Sequence, residues 1–284
     1  MSPGAGGRLC RLVWHGPNGD RELVTPVDVA EPFDEDHWPK QGAFPMLPYA
    51  NRLKDASVLW KGAAHPVRAA AGHTHGLHGV GHRRAWQVEH GSASAVRLEW
   101  RHPADPLEWP WSFSATLEYA LSAEGLHVAL RIRNDATTSM PAVLGWHPYV
   151  PADWLKAVAL SGSAAAVHLL DSDGICHPTA GHGAPRAGAV AVAVDVLRTP
   201  HTLALEELCS PWSMQAASGE RWCLSTDAPH LVLHVPPDRA YACIEPVSAL
   251  PGALGTPAGL RSRRDIELAP GSTRELTCRL MMAP

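Results

Sequence analysis

The chain lacks a basic excess: Lys and Arg number 24 against 28 Asp and Glu, a formal net charge of −4. A nucleic-acid partner requires clustered positive charge to neutralise phosphates, so that class is set aside. No apolar run approaches the roughly 20 residues that a bilayer demands, and Met1 to Leu9 contains no apolar secretory core. The expectation is a cytoplasmic protein with no membrane partner. Cysteine is sparse and scattered: Cys10, Cys176, Cys209, Cys223, Cys243 and Cys278 form no CxxC pair. A disulfide scaffold is therefore not indicated, and reduced, mostly buried thiols are expected. Charged residues are only 18% against 45% hydrophobic, a balance that argues against disorder. Also missing are a sustained helical stripe with caps, a repeat of fixed period and a break in composition that would split the chain.

Turn formers and alternation are abundant. The 24 Gly and 26 Pro imply many short elements. Trp111, Phe113, Ala115, Leu117 and Tyr119 alternate with Ser112, Ser114, Thr116 and Glu118, the period of a half-buried strand. The pattern returns in Val96 to Trp100, Val128 to Ile132, Val190 to Val196, Leu231 to Val235 and Leu276 to Leu280. Asp153 to Leu160 and Thr202 to Leu208 are the best candidates for a turn or two of helix. The economical reading is all-β, with one domain over 1–284 built from two packed antiparallel sheets.

Several segments depart from this alternation and are rich in reactive side chains: Phe44 to Leu53 (FPMLPYANRL), Leu77 to Trp86 (LHGVGHRRAW), Gly145 to Tyr149 (GWHPY) and Cys243 to Leu250 (CIEPVSAL). In CIEP, Glu245 ends an apolar run, where desolvation would raise its pKa and make it a better base. In GWHPY, Pro148 holds the backbone of His147 extended, and an imidazole gives or takes a proton near neutral pH. Together they could be an acid and a base. Singly, Glu245 could pair at a strand end and His147 could be a satisfied core histidine. His73, His75, His78 and His82 fall close together, but Gly72, Gly76, Gly79 and Gly81 interrupt them and no acidic residue sits among them. No metal site is therefore expected there, and the glycines suggest a mobile lid.

In this order and spacing, the four segments resemble the aldose 1-epimerase (galactose mutarotase-like) family. FPMLPYANR resembles its F-P-L-x-P-Y-x-N-R segment, LHG followed by Trp86 its L-H-G…W, GWHPY its G-x-H-P-Y, and CIEP its C-x-E-P. Asn134, Met140-Pro141 and the LAPG at Leu268 to Gly271 agree as well, so the likeness runs through nearly the whole chain. The resemblance implies a large antiparallel β-sandwich of the galactose mutarotase type (a supersandwich) and interconversion of the α and β anomers of a free aldose. No metal or other cofactor is implied, and the partner is the small sugar substrate. By match, Glu245 takes the proton from the C1 hydroxyl and His147 protonates the ring oxygen, while Asn51, Arg52 and His78 hold the sugar. The family's L-D-x-x-[FY] aspartate is replaced: LEELCSPW puts Glu206 in its place, with Glu207 as a rival. Trp86, Trp146 and Trp212 are candidates to stack on the sugar, although core packing suits most of the 11 Trp. The competing readings are a hexose-6-phosphate 1-epimerase using Arg83 and Arg84, and a non-catalytic sugar-binding module. Monomer and homodimer are equally compatible with the sequence.

Overall fold

Alternation builds the sheets. In Phe113–Ser122, Phe113, Ala115, Leu117 and Tyr119 are buried while Ser114, Thr116 and Glu118 are half-buried, as a strand with one wet face requires. Its antiparallel register with Gly125–Asn134 sets Leu117 against Leu130 and Tyr119 against Val128, cross-strand pairs that stabilise a sheet face. The computed structural model describes residues 1–28, 30, 32–69, 71–176, 190–255 and 266–283.

Eight strands form one sheet, in the order Ala159–Ser161, Trp212–Gln215, Arg221–Thr226, Thr273–Ala283, Gly125–Asn134, Phe113–Ser122, Ala95–His102, Gln87–Gly91. Seven form the second: Val190–Ala191, Ser163–Leu169, His201–Leu208, His230–Val235, Tyr241–Val247, Gly145–Pro151, Ala43–Met46. Leu117, Leu130 and Leu276 from the first and Leu231, Leu233, Ile244 and Val150 from the second belong to one buried apolar cluster. The fold is all-β, as the alternation implies. No helix of the described residues is long and apolar enough to cross a membrane, and all six cysteines are free thiols, four of them buried.

Three local expectations are corrected. Thr202 to Leu208 is not helical: it lies in the strand His201–Leu208, paired on both sides by Ser163–Leu169 and His230–Val235, so two ladders of hydrogen bonds override its local helical composition. The valine alternation at 190–196 yields only the edge strand Val190–Ala191 before a 3-10 turn at Val194–Leu197. GWHPY and CIEP do not interrupt the sheet but lie within adjacent strands of it. The other helical candidate does form one short turn, Ala152–Lys156.

Asn134 is fully buried and donates from Nδ2 to the carbonyls of Thr138 and Leu268 at 2.9 and 2.8 Å. Met140–Pro141 pairs with Glu267–Leu268. Those family-like positions therefore form a latch within the fold, away from any reactive centre.

Candidate active site

Strand geometry assembles the floor of the site. Successive side chains of a strand point to opposite faces, so Tyr241, Cys243 and Glu245 share one face and Ala242 and Ile244 the other. The register sets Tyr149 against Cys243, Cys243 against His234, and His234 against Thr202. These four side chains make a row across four strands. One rung along, Val232 faces Glu245, and the pairs Gly145 with Val247 and Tyr149 with Cys243 bracket His147 opposite Glu245. Both rows line a cavity of about 310 Å³, and Asn51, Arg52, Leu77, His78, Lys40 and the turn from Leu170 to Gly174 close its sides.

Two stitched loops supply the upper residues. Arg52 pairs with Leu77 and Leu53 with Gly76, and the amide of His78 donates to the carbonyl of Asn51 at 3.0 Å. Asn51 and His78 both hold left-handed backbone conformations, with φ of 55° and 59°. Non-glycine residues rarely adopt this region, and strain of about 1–3 kcal/mol per residue is held at such positions by surrounding structure. Here the brace is backbone pairing on both sides.

His147 Nε2 lies 3.3 Å from Glu245 Oε1, and both residues are buried. Asn51 Nδ2 donates to the other carboxyl oxygen of Glu245 at 2.6 Å. Burial raises the Glu245 pKa from 4.5 to about 8, and the Asn51 bond partly opposes that rise. Burial also pushes His147 well below the ordinary imidazole range, with the Arg8 guanidinium and the Lys40 ammonium adding to the effect. The ring of His147 is clamped by Phe44, stacked at 4.5 Å and 18°, and by His78, edge-on at 4.7 Å. Near neutral pH the pair therefore holds one exchangeable proton, and its position belongs to the pair rather than to either residue.

The sequence-predicted residues divide. Asn51, Arg52, His78, His147 and Glu245 converge on the cavity. Glu206 is not among the residues that line it; its carboxylate bonds His168 Nε2 at 2.8 Å. Glu207 is likewise absent from the lining and has a positive φ of 53°. Trp86, Trp146 and Trp212 are buried in the core, and Trp86 donates to the Gly81 carbonyl at 2.9 Å; the aromatics at the cavity are Tyr149 and Tyr241. Arg83 is buried and donates to the Gly79 carbonyl, while Arg84 pairs with Glu35 and Glu108, so neither reaches the cavity. Of the run from His73 to His82, His73 and Thr74 are exposed, while the rest is packed: His75, His78 and His82 are buried, and the Val80 and Gly81 amides both donate to the Leu47 carbonyl. His82 sits between Trp38 and Phe44 at 4.6 and 5.0 Å, a core histidine.

Sequence reading missed Lys40, Tyr149, Thr202, His234, Tyr241 and Asp171. The signal for two of them was alternation outward from Glu245 and His147: Tyr241 on one strand and Tyr149 on the other. The donor atoms of His78, His147 and Glu245 lie within 4.8 Å of one another. Two imidazoles and a carboxylate form a donor set that zinc accepts, but a cation would occupy the same atoms as the exchangeable proton.

A sequence profile of the aldose 1-epimerase family matches residues 3–159. The chain belongs to the aldose 1-epimerase family. The Escherichia coli (strain K12) protein YphB is 28% identical over 109 residues, which cover 38% of this chain and 36% of that relative's length. Solved structures share the fold over nearly the full chain. The GalM/aldose epimerase homologue from C. elegans superposes with a TM-score of 0.80 at 16% identity, covering 98% of this chain and 93% of its own. A galactose mutarotase-like protein from Lactobacillus casei gives 0.74 at 20%, covering 98% and 95%. Galactose 1-epimerase from Lactobacillus acidophilus gives 0.72 at 17%, covering 98% and 89%. These likenesses establish for this aldose 1-epimerase family member a β-sandwich of the galactose mutarotase type.

Proposed function

We propose that the protein interconverts the α and β anomers of a free aldose, with Glu245 as base at the C1 hydroxyl and His147 as acid at the ring oxygen. The observation that carries this reading is the 3.3 Å approach of His147 Nε2 to Glu245 Oε1 on the buried floor of the cavity. The hydroxyl oxygen of C1 and the ring oxygen are bonded to the same carbon, so the two groups that serve them must end close together. A pair separated by a sugar's width would suit a different reaction.

Proton removal by Glu245 and proton delivery by His147 break the C1–ring oxygen bond and leave the open-chain aldehyde. Rotation about C1–C2 presents the other carbonyl face, and closure returns both protons along the same route. In this reading His78, whose Nδ1 is buried and unpartnered among the described residues, and Arg52 bond sugar hydroxyls. Asn51 is a positioning residue, because its amide is committed to Glu245.

Polarimetry or one-dimensional NMR on freshly dissolved α-D-galactose and α-D-glucose tests the reading. Faster approach to the anomeric equilibrium, lost in Glu245→Gln and His147→Gln, is the expected result. Sugar binding with no acceleration would replace it with the binding-module reading.

A further inference from the structure

Two cations line the cavity with no acidic partner among the described residues: Lys40 and Arg52. Lys40 is tethered at the mouth by its ammonium lying 4.3 Å from the Trp38 ring centroid, and a cation over an indole face is held there electrostatically. Trp38 in turn packs edge-on against His78 and His82. The Lys40 and Arg52 charges repel one another, and Lys40 also acts on His78, His147 and His234. Two acidic residues line the same cavity, and neither forms an ion pair with these cations. Asp171 is engaged by its own turn, accepting the amides of Asp173 and Ile175, each at 2.9 Å, and Glu245 is bonded to Asn51 and His147 on the floor.

The hydroxyls of a neutral hexose can accept from Arg52, but they carry no charge to offset it or Lys40. We propose that the preferred substrate is an aldose bearing an anionic group, a carboxylate or a phosphate, held by Lys40 and Arg52. This deepens the anomer-exchange reading and rests on it. It differs from a phosphate site at Arg83 and Arg84, whose side chains are spent elsewhere. Charge-assisted hydrogen bonds are roughly twice as strong as neutral ones.

The test compares initial mutarotation rates of the wild-type protein on galactose, glucose, galacturonate, glucuronate, galactose 6-phosphate and glucose 6-phosphate. We expect kcat/KM on one acidic class to exceed that on the matching neutral sugar at least about tenfold, the loss expected for one hydrogen bond to a charged group. Preference for the uronates identifies a carboxylate and preference for the 6-phosphates a phosphate; either supports the proposal. In Lys40→Met the acidic-to-neutral ratio falls about tenfold or more, and Lys40→Arg restores most of it. Neutral sugars turned over as well as acidic ones, or a ratio unchanged in Lys40→Met, overturns this inference and leaves anomer exchange standing. No acceleration on any of the six overturns both.

Discussion

Replacing Glu245 by Gln reads out the protonation of the buried pair as a stability difference, independently of any substrate. Gln has nearly the same shape and keeps an oxygen to accept from Asn51, so the change removes the ionisation and little else. The Glu245 pKa is raised from 4.5 to about 8 by burial. Between those values the folded protein holds a proton that the unfolded chain has released, so stability falls as pH rises through the interval, and the penalty is complete above about pH 8. The whole rise from 4.5 to about 8 corresponds to roughly 5 kcal/mol. Between about pH 6 and about pH 9, roughly 3 kcal/mol of it is expressed. Urea unfolding of wild type and Glu245→Gln at these two pH values measures it, since the two proteins differ only in the titration of the Glu245–His147 pair. The variant should gain on wild type by roughly 3 kcal/mol as pH rises, while mutarotation falls about 10²- to 10⁴-fold at every pH. Parallel pH dependence in the two proteins would refute the burial argument, even if activity were lost.

The pH profile of kcat/KM should fall above about pH 8, where the pair loses its proton, and stay level until well below the ordinary imidazole range, because His147 is pushed down by burial; an alkaline limb absent up to about pH 10 would refute this. Asn51→Ala removes the bond that opposes the rise of Glu245, so the alkaline limb should move upward and kcat should drop, whereas a change in KM alone would make Asn51 a sugar ligand only. Gly174 has φ +68°, and a Cβ there would meet Arg52 Nε at 2.5 Å; Gly174→Ala should displace Arg52 and raise KM about tenfold, with kcat nearly kept, by loss of one hydrogen bond to a charged group. Zinc at about micromolar levels should inhibit in competition with sugar through His78, His147 and Glu245, less strongly as pH falls, because protons compete for the ligands; full activity in millimolar zinc would show that the three do not converge on a cation.

Much of the sheet architecture was legible because burial on one face writes period two into the chain, as in Phe113–Ser122. The failures are edge and context effects. At 190–196 the alternation is present but only Ser163–Leu169 is there to pair with it, and at 202–208 local composition was outvoted by neighbours on both sides. The site was legible at His147 and Glu245 as chemistry and invisible as geometry, since nothing local states that Gly145–Pro151 pairs with Tyr241–Val247. Glu206 was assigned by alignment of a short segment, and its partner His168 lies on a neighbouring strand that no motif marks. Lys40 carries no motif at all; its meaning depends on Trp38 and Arg52, which only the folded chain brings beside it.

Burial also bears on the direction of the proposed chemistry. Catalysis on the cyclic sugar begins with Glu245 ionised and His147 protonated, and the open-chain state leaves Glu245 protonated and His147 neutral. Desolvation raises the first pKa and lowers the second, so the dry floor disfavours the ion pair and favours the neutral pair. The protonation state that accompanies the open aldehyde is thus the one the cavity prefers, and the site lowers the least stable sugar species relative to the ring forms on either side. Since α and β rings open to the same aldehyde, one bias serves both directions, which is what an isomerase working between species of nearly equal energy requires. A more exposed pair, with ordinary pKa values, would hold the ion pair and stabilise the ring forms instead.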